Sequence, residues 1–330
     1  MQNLTREYSK LLGVLSAEQL QAALDRFGLG RLLDARPAPG GLFGQNVLLS
    51  TSAGGYVLRG CPYDGQLEKE QYFSRIIHER TRAIAPWPFQ IEESPEIFGW
   101  SYAMMPLLAG VHLSDPDVRR TLSKDDRLAL ARAMGTHLGL MQEATWDTPG
   151  EYDFAAHAIV PIGQPFAGWF IRKTREWLDR CRAASSATPA DVAWIDTVID
   201  AARDALAMPF VPVLVHTDYK EGNVVAEREG AGWRITGIFD MAEAYAGDGE
   251  YDLARAACDY GLQSESMLNA FIDAYMAGRP ARPGVAERLA LYILHDRLII
   301  WEYGQRHGIL FEPGVTFRQF AQRFVDLASV

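Results

Sequence analysis

Three polar residues between positions 218 and 240 have the types and spacing that phosphoryl transfer requires. Asp218 and Asn223 lie five positions apart after the apolar run 210–215, and Asp240 follows a second apolar stretch. This pattern predicts a loop between two strands, where chemistry is commonly placed. Phosphoryl transfer needs a carboxylate facing the acceptor hydroxyl and oxygen ligands for a metal ion. Asp218 suits the first role, and Asn223 and Asp240 suit the second as Mg²⁺ ligands.

Two signatures in the chain resemble those of a known family. His216, Asp218 and Asn223 form the pattern His-x-Asp-x-x-x-x-Asn, and residues 247–254 read Gly-Asp-Gly-Glu-Tyr-Asp-Leu-Ala. Together these motifs resemble the aminoglycoside phosphotransferase family, which includes choline kinase-like small-molecule kinases and whose fold is similar to that of protein kinases. The resemblance implies an ATP-dependent kinase that transfers a phosphoryl group to a hydroxyl.

The resemblance also implies a two-lobed α+β fold of the protein kinase type. Residues 1–105 would form a small N-lobe with an antiparallel sheet that binds the nucleotide phosphates. Residues 106–330 would form a larger, mostly helical C-lobe with the catalytic loop and the acceptor site. A length of 330 residues independently favours roughly two domains.

The catalytic loop departs from the family pattern at several positions. Thr217 stands where such enzymes usually carry Gly, and Lys220 where a His is frequent. Lys220 resembles the lysine of the protein-kinase loop and would then contact the γ-phosphate; a solvent-facing lysine is the alternative. We expect His216 to brace the backbone, since a neutral imidazole next to such a loop commonly does so.

The N-lobe contains two candidate contacts to the nucleotide phosphates. Gly41 and Gly44 lie in a glycine-rich turn, where backbone N–H groups can approach phosphates, although a plain hairpin turn explains the glycines equally well. Arg59 falls at the end of a predicted strand, where the fold places a basic residue on the α- and β-phosphates. Glu70 on the next helix is its expected partner, with Glu68 as the rival.

An apolar strand that ends at a proline predicts the connection between the lobes. Met104, Met105 and Leu107 surround Pro106 in this segment. In kinase-like folds the main chain here meets the adenine edge, and methionine side chains pack on the base. A plain core strand is the alternative interpretation, and both can hold.

Composition excludes several classes of partner. The net charge is −10, whereas nucleic-acid binders cluster Lys and Arg against phosphates, so we expect no nucleic-acid partner. Three cysteines without a Cys-x-x-Cys pair indicate neither a disulfide framework nor a thiolate zinc site. Neither a signal peptide nor a run long enough to cross a bilayer is evident, which predicts a cytoplasmic protein with no membrane partner.

Beyond the lobe connection the pattern is mainly helical. Helices are predicted over 126–142, 166–184, 191–207, 252–261, 265–277 and 285–304, with strand signal only around 211–225 and 233–239. The resemblance places the acceptor pocket near 243–252, 154–177 and 292–303. Asp248 and Asp252 are expected to be structural, capping a helix and bracing the catalytic loop.

The expected reaction uses ATP, with GTP as the open alternative, and Mg²⁺. A protein kinase would need a longer activation segment ending in Ala-Pro-Glu, which the sequence lacks, so we expect a small-molecule hydroxyl acceptor. Resemblance favours an aminoglycoside or another hydroxylated antibiotic, which would make the protein a resistance enzyme. A metabolic alcohol such as choline, homoserine or a sugar is the alternative, and a pseudokinase scaffold is a further one. The assembly is expected to be a monomer or a homodimer.

Overall fold

The computed structural model describes residues 13–38, 45–61, 65–184, 186–230, 232–280, 282–308, 311 and 314–329. The N-terminal region consists of α1 (Ala17–Arg26), β1 (Leu32–Pro37), β2 (Gln45–Thr51), β3 (Gly54–Gly60), α2 (Gln66–Arg80), β4 (Gln90–Glu92) and β5 (Tyr102–Pro106). Its five strands form one antiparallel sheet in the order β1-β2-β3-β5-β4.

The two faces of this sheet carry separate apolar clusters. Leu58 pairs with Met104 across β3 and β5, and both pack with Leu24 of α1 on one face. Residues directly opposite in an antiparallel pair share a face, so Arg59 and its partner Ala103 lie on the other side, the side of α2. The sheet therefore presents Arg59 to the interior of the molecule.

The remaining chain is mostly helical. It comprises β6 (Val111–His112), α3 (Pro116–Thr121), α4 (Lys124–Met141), β7 (Gly150–Asp153), β8 (Ala158–Pro161), α5 (Phe166–Ala183), α6 (Pro189–Leu206), β9 (Val213–Val215), β10 (Val224–Glu229), β11 (Gly232–Ile238), β12 (Tyr245–Gly247), α7 (Leu253–Gly261), α8 (Glu265–Met276), α9 (Val285–His307) and α10 (Phe317–Val325). The expected fold class, a small antiparallel sheet followed by a larger helical region, is confirmed.

Side-chain caps explain where several helices begin. Ser16, Ser123 and Thr188 each form a capping box with the third residue of the helix that follows, which satisfies backbone N–H groups that have no partner within the helix. Helix α4 packs against α8 at Gly135, where a Cβ would collide with the carbonyl oxygen of Phe271. A glycine is therefore required for this close helix approach.

The prediction that strand signal returns only around 211–225 and 233–239 was wrong. Strands β6, β7, β8 and β12 also form, within a sheet of order β11-β10-β6 and a second of order β8-β7-β12-β9. These strands have two to four residues, which is too short for an alternating apolar pattern to be visible in the sequence. Among the described residues, no helix is long and apolar enough to cross a membrane.

Candidate active site

The β10–β11 hairpin brings the two candidate metal ligands to the same end of a sheet. Val224 pairs with Ile238, and the N–H of Phe239 donates to the carbonyl oxygen of Asn223 over 3.1 Å. Asn223 therefore immediately precedes β10, and Asp240 follows β11 by two residues at the same edge. Asp240 has a left-handed backbone with φ of +72°. Asp tolerates this conformation better than most residues, and such backbone strain is found preferentially at functional sites.

A buried carboxylate holds the backbone of the catalytic loop. Asp252 accepts hydrogen bonds from the N–H groups of His216 and Thr217, each over 2.8 Å. Burial raises the pKa of Asp252 to about 6, although these donors favour the ionised form. Thr217 adopts a φ of +74°, a strained value for a β-branched residue. The contacts agree with the structural role expected for Asp252.

Two further contacts fix the loop within the helical region. Nε2 of His216 lies 3.0 Å from the carbonyl oxygen of Phe239, which links the loop to the segment carrying Asp240. The side chain of Tyr219 is fully buried, and its hydroxyl donates to the carbonyl oxygen of Met134 over 2.9 Å. His216 thus braces the backbone, as expected.

The carboxylate of Asp218 has one engaged oxygen and one free of hydrogen bonds. Oδ2 lies 2.6 Å from Nζ of Lys220 and accepts the Nδ2 amide of Asn223 over 3.0 Å. Oδ1 is buried and has no hydrogen-bond partner among the described residues, with NH1 of Arg255 3.5 Å away. Burial raises the pKa of Asp218, but Arg255 and Lys220 outweigh burial and hold this pKa below its ordinary value.

Arg255 is a site residue that the sequence interpretation missed. Its Nε donates to Oδ1 of Asp296 over 2.8 Å, and Asp296 also pairs with Arg297. Only 18% of the Arg255 side chain is exposed, so its charge acts on Asp218 with little screening by solvent. Its position one residue after the Gly-Asp-x-x-x-Asp-Leu-Ala signature was the available signal, but its partner lies 41 residues away in the chain.

Arg59 joins the sheet, helix α2 and the segment that carries Asp240. Its NH2 group lies 2.6 Å from Oε1 of Glu70 and 2.8 Å from Oδ1 of Asp240. NH1 donates to Oδ1 of Asn46 over 3.3 Å. The Arg59–Glu70 pair is thus the one that forms, while the rival Glu68 bonds to Tyr152 instead.

The residues expected to meet the base divide between the two faces of the sheet. Met105 lies on the Arg59 face, whereas the side chain of Met104 packs toward α1. The main chain of Met104 pairs with Leu58 on one side and Gln90 on the other, so the expected contact of Met104 with the base is not supported. The N–H of Leu107 donates to the carbonyl oxygen of Gly55 over 3.0 Å. Gly41 and Gly44 lie outside the described residues.

The donor set fits a magnesium ion that is held mainly by a nucleotide. Within the described residues, no group of three or more His, Cys, Asp or Glu side chains could hold a metal alone. Asn223 directs its side-chain Nδ2 to Asp218, which leaves its side-chain Oδ1 for a ligand, and the Asp240 side chain is 40% exposed. Mg²⁺ commonly takes one or two protein oxygens and completes its shell with phosphates and water.

In the segment 292–303, which was expected to line the acceptor pocket, Tyr292 and Asp296 are buried. Tyr292 is fully buried, and its hydroxyl donates to Oδ2 of Asp248 over 2.7 Å, which makes it a core residue. Asp248 also pairs with Arg282 and accepts the N–H of Glu250 over 3.2 Å, in agreement with the expected capping role. Asp296 reaches the site indirectly, through Arg255.

The chain is similar in sequence to kinases that act on small molecules. A homoserine kinase from Methylobacillus glycogenes is 23% identical over 276 residues, covering 81% of this chain and 77% of that protein. A ketosamine-3-kinase from Mus musculus is 36% identical over 96 residues, covering 29% of this chain and 28% of its own.

Among solved structures, a thermostable mutant of aminoglycoside phosphotransferase APH(4)-Ia, in ternary complex with ADP and hygromycin B, matches with a TM-score of 0.66 and 17% identity, covering 93% of this chain and 97% of its own. The GDP and kanamycin complex of APH(2")-IIia gives a TM-score of 0.64 and 14% identity, covering 95% and 98%. These structures show a shared, protein kinase-like fold. The model of the phosphotransferase enzyme family (APH) matches residues 34–287, well over half of the chain, and the chain therefore belongs to that family.

Proposed function

We propose that this protein transfers the γ-phosphate of ATP to a hydroxyl group of a small molecule. The observation that carries the proposal is the difference between the two carboxylate oxygens of Asp218 in their contacts. Lys220 and Asn223 fix its Oδ2 atom, whereas the buried Oδ1 atom has no hydrogen-bond partner among the described residues. The guanidinium of Arg255 lies 3.5 Å from Oδ1 and stabilises its charge without a hydrogen bond, and an acceptor hydroxyl would supply the missing donor.

Each remaining residue has a role that follows from its position. Asp218 orients the acceptor hydroxyl and accepts its proton, and Lys220 neutralises charge on the transferring group. Arg59, held by Glu70, would contact the α- and β-phosphates. Gly41 and Gly44, outside the described residues, are kept from the sequence as the expected cover of the phosphates.

Three contacts complete the proposed nucleotide site. Asn223 and Asp240 would hold Mg²⁺, which when bound neutralises the β- and γ-phosphates. Met105 and Leu107 would form the base site. The relatives in the family bind ADP or GDP in their solved structures, so we propose ATP as donor and keep GTP as the alternative.

The acceptor has two candidate classes. A hydroxylated antibiotic of the aminoglycoside type is favoured by the fold match to aminoglycoside phosphotransferases, and it would make the protein a resistance enzyme. A metabolic alcohol is favoured by the homoserine kinase from Methylobacillus glycogenes, which the chain matches over 276 residues.

The proposal also covers the division into lobes, the cellular location and the oligomeric state. We assign residues 1–105 to a nucleotide-binding lobe and 106–330 to the lobe with the catalytic loop; the sheet of the first lobe ends at Pro106. The reaction takes place in the cytoplasm, where ATP is available, and the enzyme acts as a monomer or a homodimer.

A transfer assay tests this function. The purified protein is incubated with ATP and Mg²⁺ against aminoglycosides, macrolides, homoserine, choline and ketosamines, and phosphorylated products are identified by mass. We expect transfer to one acceptor class and none by the Asp218→Asn variant. Absence of both transfer and nucleotide binding in the wild-type protein contradicts the proposal.

A further inference from the structure

The β7–β8 hairpin of the helical region reaches helix α2 of the N-terminal region. Tyr152 of β7 donates its hydroxyl to Oε1 of Glu68 over 2.5 Å. His157, at the turn of the hairpin, places Nδ1 2.5 Å from the same oxygen. Two side chains from one hairpin therefore converge on a single carboxylate of α2.

The Tyr152–Glu68 contact is the more protected of the two. Tyr152 is buried, whereas the side chain of His157 is 71% exposed. The hydrogen bond from Tyr152 is the main cause that lowers the pKa of Glu68, so the carboxylate is ionised at neutral pH. A hydrogen bond to an ionised, partly buried acceptor is about twice as strong as a neutral one.

Aromatic packing reinforces the same contact. The rings of Tyr152 and Tyr72 of α2 lie 5.1 Å apart, and Phe154 packs edge-on against Tyr152 at 5.2 Å. Phe154 also covers Gly65, the residue before α2, where a Cβ would lie 2.7 Å from its ring. The φ of Gly65 is +75°, so both space and backbone conformation require glycine there.

Helix α2 is thus held on two sides. Glu68 and Glu70 are two positions apart on the helix and point in different directions, because successive residues are rotated by about 100°. Glu68 meets the hairpin, while Glu70 is buried against Arg59. Phe73 and Ile77 of α2 are buried in the core, and the hairpin adds a further hold near the start of the helix, which carries Glu70 and with it the partner of Arg59.

We infer that Tyr152 is a positioning residue for the nucleotide: through Glu68 it fixes α2 so that Glu70 holds Arg59 toward the phosphates. This inference rests on the proposed function, since it assigns a consequence for ATP binding. Tyr152 contacts neither Arg59 nor Asp218 in the structure, so its effect is transmitted through the helix.

The test compares two hydroxyl deletions. Tyr152→Phe removes the bond to Glu68 and keeps the ring, and Tyr72→Phe is the matched control, because the structure shows no hydrogen bond from the Tyr72 hydroxyl among the described residues. We expect Tyr152→Phe to raise the KM for ATP about 5- to 10-fold, less than a charge-assisted hydrogen bond contributes in full, because the effect reaches Arg59 through the helix. The KM for the acceptor and kcat at saturating ATP stay within about twofold, and Tyr72→Phe matches the wild type.

A second measurement separates positioning from general stability. In an Arg59→Met background, Tyr152→Phe should have no further effect on ATP affinity, measured by calorimetry with Mg²⁺–ATP, because both changes act on the same contact. Equal loss in both backgrounds, or an equal rise in the KM of both substrates, overturns the inference.

Hydrogen exchange distinguishes failure of this inference from failure of the proposed function. In the nucleotide-free protein, Tyr152→Phe should accelerate exchange of the α2 amides, and Tyr72→Phe should not. Unchanged α2 exchange overturns the inference alone. A wild-type protein that binds no ATP overturns the proposed function and, with it, this assignment.

Discussion

The two sides of the proposed site are held in place by different kinds of contact. The catalytic loop is fixed through its backbone, by N–H groups of His216 and Thr217 that donate to the buried Asp252. The nucleotide side is fixed through side chains, by the bonds of Arg59 to Glu70 and Asp240, which come from separate elements.

This difference shows how the two halves of a transfer site can tolerate different degrees of movement. Backbone hydrogen bonds to a buried acceptor leave the loop few alternative positions, which suits a residue that must meet a small hydroxyl accurately. Ion pairs between long side chains can exchange partners when a phosphate enters. We therefore expect changes on the acceptor side to reduce turnover, and changes on the nucleotide side to reduce affinity.

The largest expected effect is a loss of turnover without a loss of ATP affinity. Asp218→Asn removes the proton acceptor but preserves the shape of the loop, so kcat should fall by about 10³-fold or more. ATP affinity, measured by calorimetry, should stay within about twofold, since Asp218 does not contact Arg59. Comparable turnover in this variant would remove Asp218 from the proposed role.

The second prediction tests how the buried Asp252 carboxylate, which holds the loop, makes stability depend on pH. The folded-state pKa of Asp252 is raised from 3.8 to about 6, so its contribution to stability is complete below about pH 4 and is lost as pH rises through 6. Relative to Asp252→Asn, the wild type should lose up to about 3 kcal/mol of unfolding free energy between pH 4 and 7, at about 1.4 kcal/mol per pKa unit.

Urea denaturation at a series of pH values measures this difference, with Asp252→Asn as the reference because its carboxamide does not titrate. Parallel stability curves for the two proteins would show that the backbone donors outweigh burial and that the carboxylate is ionised throughout.

The third prediction concerns the nucleotide side. Arg59→Met should weaken ATP binding about 10- to 30-fold, the equivalent of about 2 kcal/mol for a charge-assisted hydrogen bond, and leave the KM of the acceptor unchanged. Arg26→Met is the matched control, since Arg26 forms an exposed ion pair with Glu96 on the same region of the molecule. Unchanged ATP affinity in Arg59→Met would contradict the proposed contact of Arg59 with the nucleotide phosphates.

The smallest expected effect tests how strongly the loop is constrained. Thr217 has a left-handed backbone, which costs a non-glycine residue about 1–2 kcal/mol, whereas glycine loses about 0.5–1 kcal/mol through its greater freedom when unfolded. Thr217→Gly should therefore raise the unfolding free energy by less than about 1 kcal/mol with kcat within twofold. Thr217→Ala keeps the backbone strain and should not raise the unfolding free energy. A lower unfolding free energy for Thr217→Gly would contradict the left-handed backbone at this position.

The sequence was most informative where function depends on local spacing. Asp218, Asn223 and Asp240 could be selected because the loop and the hairpin bring residues near in sequence together in space. The long amphipathic helices were also predictable, with α5 beginning at the expected Phe166 and α8 at the expected Glu265.

The sequence was least informative where partners are distant in the chain. Arg255 could not be selected as a site residue from the sequence, because its partner Asp296 lies 41 residues further along the chain. The hairpin of β7 and β8 escaped prediction because its short strands are stabilised by contacts to α2, such as Tyr152 with Glu68, 84 residues apart. Met104 and Met105 are adjacent, so only the strand register could show which of them faces Arg59.

The bond between Arg59 and Asp240 also has an electrostatic consequence. The side chain of Asp240 is 40% exposed, and the guanidinium of Arg59 lies 2.8 Å from its Oδ1 atom. The chain itself therefore supplies a counter-cation for this carboxylate. Under the proposed function, an entering nucleotide would exchange one anionic partner of this guanidinium for another.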